Sequence, residues 1–163
     1  MKALIIDGYN AIYKIPSLRR HLDVNLELAR RELKKYAKEF MRKTGGIAEL
    51  KIVFDGKAMY KQNNFASIKD EVYTTEKMGD TEIINQIRVL SPKYDILVVS
   101  DDNYVRNSSR SHNASVLSVK SFSQSIAKKD KATANKSNDS DKHLEEYDKK
   151  RINSELAKEW NVK

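Results

Sequence analysis

Residues 4–10 read Leu4-Ile5-Ile6-Asp7-Gly8-Tyr9-Asn10. Three apolar residues run directly into an acid, a glycine and two polar residues. An unbroken apolar run suits a strand covered on both faces, as in a parallel α/β sheet. Gly8 lets the chain leave the strand at an angle a larger residue resists. Ligands of open α/β sheets bind beyond the carboxyl ends of the strands, which places Asp7 for chemistry rather than packing. Alone, Asp7 reads more readily as a turn aspartate capping the next segment.

The same arrangement recurs twice. Glu49 to Phe54 reads as a second strand ending in Asp55-Gly56, and Tyr94 to Val99 as a buried strand ending in Ser100-Asp101-Asp102. Between them, Gly79-Asp80 precedes a helical run, Thr81 to Leu90, with Ile83, Ile84, Ile87 and Leu90 on one face; Asp80 is its expected N-cap. A longer helix is expected from an Asp23 or Asn25 cap to about Lys43, stopped by Gly45-Gly46. Its solvent face is expected to carry Arg30, Arg31, Lys34, Lys35, Lys38, Arg42 and Lys43. Ala11 to Leu22 reads as a loop with at most one short turn, because Pro16 interrupts it. Glu71 to Thr74 suits a short strand and Ala114 to Val119 a last one, with a helix from Tyr104 to Ser111 before it and a helical turn around Phe122 to Ile126 after it.

Strands alternating with helices predict a three-layer α/β/α domain around a mostly parallel central sheet. Right-handed crossovers then set the strand C-termini, with Asp7, Asp55 and Asp101-Asp102, along one edge. Residues 1–127 form that domain. Residues 128–142, rich in Lys, Asp, Ser and Asn, read as a flexible polar linker. Residues 143–163, with Leu144, Tyr147, Ile152, Leu156 and Trp160, read as an amphipathic helix that docks on the domain or on a partner.

The composition bounds the chemistry. The chain has 163 residues, a formal net charge of +8 and no cysteine. That leaves no disulfide framework and no thiolate site. No stretch approaches a membrane span and the first apolar run is short for a signal peptide, so the expected location is cytoplasmic. A basic surface attracts polyanions, nucleic acid among them. His21, His112 and His143 show no paired metal-ligand spacing, and no glycine-rich phosphate loop occurs. Several carboxylates in one cleft repel one another unless a divalent cation joins them, and hard oxygen ligands suit Mg2+ or Mn2+. Acids around such an ion, inside a basic surface, describe a hydrolase of a nucleic-acid backbone.

At these residues a resemblance appears. Ile5-Ile6-Asp7-Gly8-Tyr9-Asn10, Val53-Phe54-Asp55-Gly56, Gly79-Asp80-Thr81-Glu82-Ile83 and Val98-Val99-Ser100-Asp101-Asp102, in that order, resemble the NYN domain proteins. Within them the likeness is to the YacP-like branch of PIN-like ribonucleases. The resemblance implies a PIN-like fold and a metal-dependent endoribonuclease. It implies Asp7, Asp80 and Asp101 as catalytic metal ligands, Asp102 as a further ligand, and Asn10 as the group orienting water or a phosphate. Some YacP-like relatives cut messenger RNA on the ribosome, so RNA and the ribosome are the implied partners. Gly79 departs from the usual alanine, and Asn113-Ala114 from a common Gly-Ala.

Asp55 reads as structural. Lys14, Arg19, Arg20, Lys57 and Arg106 are candidate phosphate contacts, and Tyr9 and Tyr13 candidates for base stacking or for packing under the loop. Two other functions compete: a PIN-like module that grips RNA or the ribosome without cutting, and a small phosphatase or nucleotidase.

Overall fold

The computed structural model describes residues 1–55, 69–74 and 78–127. Lys57, the polar linker and the C-terminal helix expected from the sequence lie outside the described residues. The described chain forms β1 (Lys2–Asp7), α1 (Gly8–Lys14), α2 (Pro16–Leu22), α3 (Leu26–Thr44), β2 (Ile47–Asp55) and β3 (Glu71–Thr74). It continues through α4 (Gly79–Leu90), β4 (Asp95–Val99), α5 (Asn103–Ser111), β5 (Ser115–Leu117) and α6 (Val119–Ala127).

The five strands are ordered β3-β2-β1-β4-β5, and every pair is parallel. The pleat sorts each strand's side chains between two layers. In β1, Leu4 and Ile6 join one apolar cluster with Ala11, Ile12, Leu18, Leu33, Phe40 and Phe122, from α1, α2, α3 and α6. Ala3 and Ile5 join the other, with Ile83, Ile84 and Ile87 of α4 and Val105 of α5. The long apolar runs are therefore strands buried on both faces, as expected of a parallel sheet.

Asn25 is the N-cap of α3: its Oδ1 accepts from Glu27 N–H at 2.7 Å. Gly45 and Gly46 both take positive φ and end that helix.

Three expectations are corrected. Ala11 to Leu22 is two helices, not a loop. Pro16 opens α2, where its missing N–H and fixed φ suit the first turn. Ala11, Ile12, Ile15 and Leu18 are buried under the sheet, which holds two short helices that would not persist alone. Second, Arg30 does not lie on the solvent face of α3: it is 4% exposed. Its guanidinium sits 5.2–5.6 Å from the ring centroids of Tyr73, Phe54 and Tyr9, a three-ring cation–π cluster. Third, Met78 is the N-cap of α4, and Asp80 lies inside its first turn.

Candidate metal and nucleic-acid site

Pleat parity decides which acids meet. Asp7 follows Ala3 and Ile5 in alternation, so it turns to the layer of α4 and α5. Asp55 has the parity of Val53 and turns to the same layer. Ile6 pairs with Val99, which sets Ser100 level with Asp7 on the neighbouring strand. Ser100 is fully buried and its Oγ–H donates to Asp7 Oδ2 at 2.9 Å. The same Oγ accepts Asp102 N–H at 3.1 Å, so one hydroxyl ties the first acid to the loop carrying the last two.

Asp102 is the N-cap of α5, its Oδ1 accepting from Val105 N–H at 3.0 Å. Asp80 opens the neighbouring helix α4 on the same layer. The acids feel one another. Burial first, then Asp80 and Asp102, raise the Asp7 carboxyl to about 6, against the hydrogen bonds from Ser100 and the Asn10 backbone. The Asp80 carboxyl is also raised, by burial first and then by Asp102 and Asp55.

Asp101 is not brought into this group. Its Oδ1 accepts Val119 N–H at 3.0 Å, at the start of α6 in the opposite layer. Lys14 Nζ stands 3.7 Å from its Oδ2 and Arg106 3.8 Å from its Oδ1. Asn10 fixes this corner by accepting Asp101 N–H on its Oδ1 at 3.0 Å. Asp55 accepts from Thr74 Oγ1 at 3.2 Å, across the β2–β3 pair.

The remaining candidates divide. Tyr9 is half-buried against Phe54, with ring centroids 5.3 Å apart, and its hydroxyl accepts from Arg30. That occupies the ring inside the fold. Tyr13 is exposed on α1, and Arg19 and Arg20 are exposed in the last turn of α2. Gly8 is required sterically: a Cβ there would meet the Phe54 ring at 2.5 Å and Val53 O at 2.8 Å. At Gly79 a Cβ would stand 3.2 Å from the Asp55 Cβ, so glycine relieves the approach of α4 to β2.

Two residues of this site escaped sequence reading. Ser100 carried a signal, being the register neighbour of Asp7. Arg30, which clamps Tyr9 beside the acid, also carried one: it shares the helical stripe of Leu33, Ala37 and Phe40.

The donor set of Asp7, Asp80 and Asp102 is hard oxygen with unrelieved mutual repulsion, which fits a magnesium- or manganese-like ion. Among the described residues no group of three acids or histidines is close enough to hold an ion unaided. Such a site would be completed by water and phosphate oxygens, the usual habit of magnesium.

The family model for the YacP-like NYN domain matches residues 4–162. Among solved structures, the crystal structure of Rae1 (YacP) from Bacillus subtilis, a tryptophan-to-leucine variant, is similar with a TM-score of 0.65. It is 22% identical, and the match covers 81% of this chain and 79% of that one. At that identity the likeness is one of fold. A comparison with curated proteins finds no match.

Proposed function

The chain belongs to the YacP-like NYN domain family, a nuclease-like family, and from that premise we propose a metal-dependent endoribonuclease that hydrolyses RNA phosphodiester bonds. The observation that carries the proposal is the gathering of Asp7, Asp80 and Asp102 at the carboxyl edge of a parallel sheet, where Asp102 helps to raise the carboxyls of Asp7 and Asp80. An RNA binder gains nothing from anionic groups aimed at a phosphate backbone. Asp7, Asp80 and Asp102 would hold Mg2+ or Mn2+ with water and substrate phosphate oxygens. The ion, when bound, supplies a water of lowered pKa and neutralises charge on the leaving oxygen.

The chain's own groups set the stage for that chemistry. Ser100 orients the Asp7 carboxylate and, through Asp102 N–H, the loop after β4. Asn10 holds the backbone of Asp101. Lys14 and Arg106 flank Asp101 and keep positive charge beside the acids, where the substrate's phosphates would lie. The substrate's message character and association with the ribosome belong to this proposal through the family resemblance.

One observation favours a second reading, a non-catalytic RNA- or ribosome-binding module: the described acids do not form a ready three-ligand set. Incubation with single-stranded RNA and with ribosome-bound message, with Mn2+ or with EDTA, beside Asp7→Asn, separates the two. Metal-dependent cleavage lost in Asp7→Asn with binding retained supports the nuclease. Binding without cleavage on either substrate overturns it in favour of the binding module.

A further inference from the structure

The first turn of α1 carries Gly8, Tyr9 and Asn10 directly after the acid that ends β1. α1 has seven residues, too few to hold a fixed shape by its own hydrogen bonds. Its place is set from outside. Gly8 is seated so closely on the Phe54 ring that a Cβ there would stand 2.5 Å from it. The Tyr9 ring lies 5.3 Å from the same Phe54 ring, and its hydroxyl accepts from Arg30 Nη2 of α3. Phe54 in turn stacks on Tyr73, with centroids 5.4 Å apart. One guanidinium lies against all three rings.

The next residue of the same turn faces the acids. Asn10 Oδ1 accepts Asp101 N–H at 3.0 Å, and the Asn10 backbone N–H helps to hold the Asp7 carboxyl. A residue of α3 is therefore joined to the carboxyl edge of β1 and β4 through two adjacent residues, Tyr9 and Asn10. Arg30 is 4% exposed, and its Nε has no hydrogen-bond partner among the described residues. Glu27 stands 3.7 Å from its Nη1, and the buried Glu27 Oε2 lacks a hydrogen bond too. Taking an incompletely satisfied charge out of water is unfavourable, and an apolar side chain of that volume would pack against the same rings without that penalty. What the apolar side chain lacks is a donor for the Tyr9 hydroxyl.

We propose that Arg30 is a positioning residue for the acid site: by holding the Tyr9 hydroxyl it fixes the first turn of α1, and through Asn10 the geometry of Asp7 and of the Asp101 loop. The inference rests on the metal-dependent nuclease reading and deepens it by naming the group that sets the site from the far side of the sheet. Arg30 is buried away from ion and substrate, so its effect falls on metal affinity and turnover and leaves the KM for RNA unchanged.

Tyr9→Phe removes the hydroxyl and keeps the ring; Arg30→Met removes the donor and keeps the bulk. Each is compared with wild type by amide hydrogen exchange in EDTA, by calorimetric Mn2+ affinity, and by Mn2+-dependent cleavage of a single-stranded RNA. Loss of one hydrogen bond predicts Asp101 N–H exchange faster, and Mn2+ binding weaker, by about 2- to 10-fold in each variant. The double variant should lose no more than the worse single one, since both remove the same bond. The Ile5 and Val98 amides of the central strands report global unfolding and separate positioning from stability. Faster exchange at Ile5 and Val98 alone, with Asp101 exchange and Mn2+ affinity as in wild type, overturns the proposal and leaves the nuclease reading intact. The expected exchange and metal losses, in a protein whose wild type cuts no RNA, overturn the nuclease reading alone. A wild type that binds no Mn2+ overturns both.

Discussion

Asp7→Asn should make the metal-free protein more stable while removing its proposed activity. The Asp7 carboxyl titrates at about 6 in the fold against 3.8 for an ordinary aspartate, chiefly because it is buried. About two pKa units correspond to a penalty of about 3 kcal/mol for holding the charged form at neutral pH. The amide removes that charge. It still accepts from Ser100 Oγ–H on one oxygen, but its nitrogen replaces an acceptor, which takes back about 1 kcal/mol. The net gain expected is about 1–2 kcal/mol. The pH dependence identifies the cause. The folded pKa lies above the unfolded one, so the folded protein holds a proton that the unfolded chain releases between about pH 4 and 6. Wild-type stability therefore falls as pH rises through that window, and the variant's falls less, keeping only the share of the still-raised Asp80. Denaturant unfolding in EDTA at pH 7.5 and at pH 4 measures the difference, which should be large at the first and nearly gone at the second. Mn2+ should raise the wild-type midpoint and leave the variant's unchanged, since a bound cation removes the same penalty. A variant less stable than wild type at pH 7.5, or a difference independent of pH, refutes the account of a charged acid held against its preference.

Ser100→Ala removes a buried hydroxyl that serves both Asp7 and Asp102 N–H, and should cost about 1–3 kcal/mol of stability by chemical denaturation. Cleavage should fall with it. Arg30→Ala empties the space between Tyr9, Phe54 and Tyr73 and should cost about 2–4 kcal/mol, whereas Arg30→Met, which keeps the volume, should cost less. Thermal unfolding of the pair orders them. Gly8→Ala drives a methyl against the Phe54 ring and Val53 O and should cost about 1–3 kcal/mol with a lowered unfolding midpoint.

The architecture was legible where burial on both faces wrote itself into composition. β1, β2 and β4 are apolar runs ended by acids, and α3 is bounded by Asn25 and two glycines at positive φ. The pair α1 and α2 was not, because seven-residue helices show barely two turns of periodicity and Pro16 reads the same whether it breaks an element or opens one. Arg30 shows the other limit. Its helical stripe pointed inward, but the rings that shelter its charge come from the start of α1, β2 and β3, and nothing local announces their convergence.

The acids divide by the same logic. Asp101 and Asp102 are neighbours in sequence, and composition cannot say which of them faces the first-strand acid. The sheet can. Successive strand residues alternate between faces, so Ser100 inherits the side of Val98, the side that Asp7 inherits from Ile5. Beyond the strand the alternation no longer governs, and the backbone takes over. Asp102 is held by the start of α5 and Asp101 by the start of α6, on opposite layers. Two helix N-termini, each drawing one carboxylate to its unpaired N–H groups, thus split a pair that the motif presents as one unit. Asp102 remains in electrostatic reach of Asp7 and Asp80, while Asp101 anchors the corner where Lys14 and Arg106 gather.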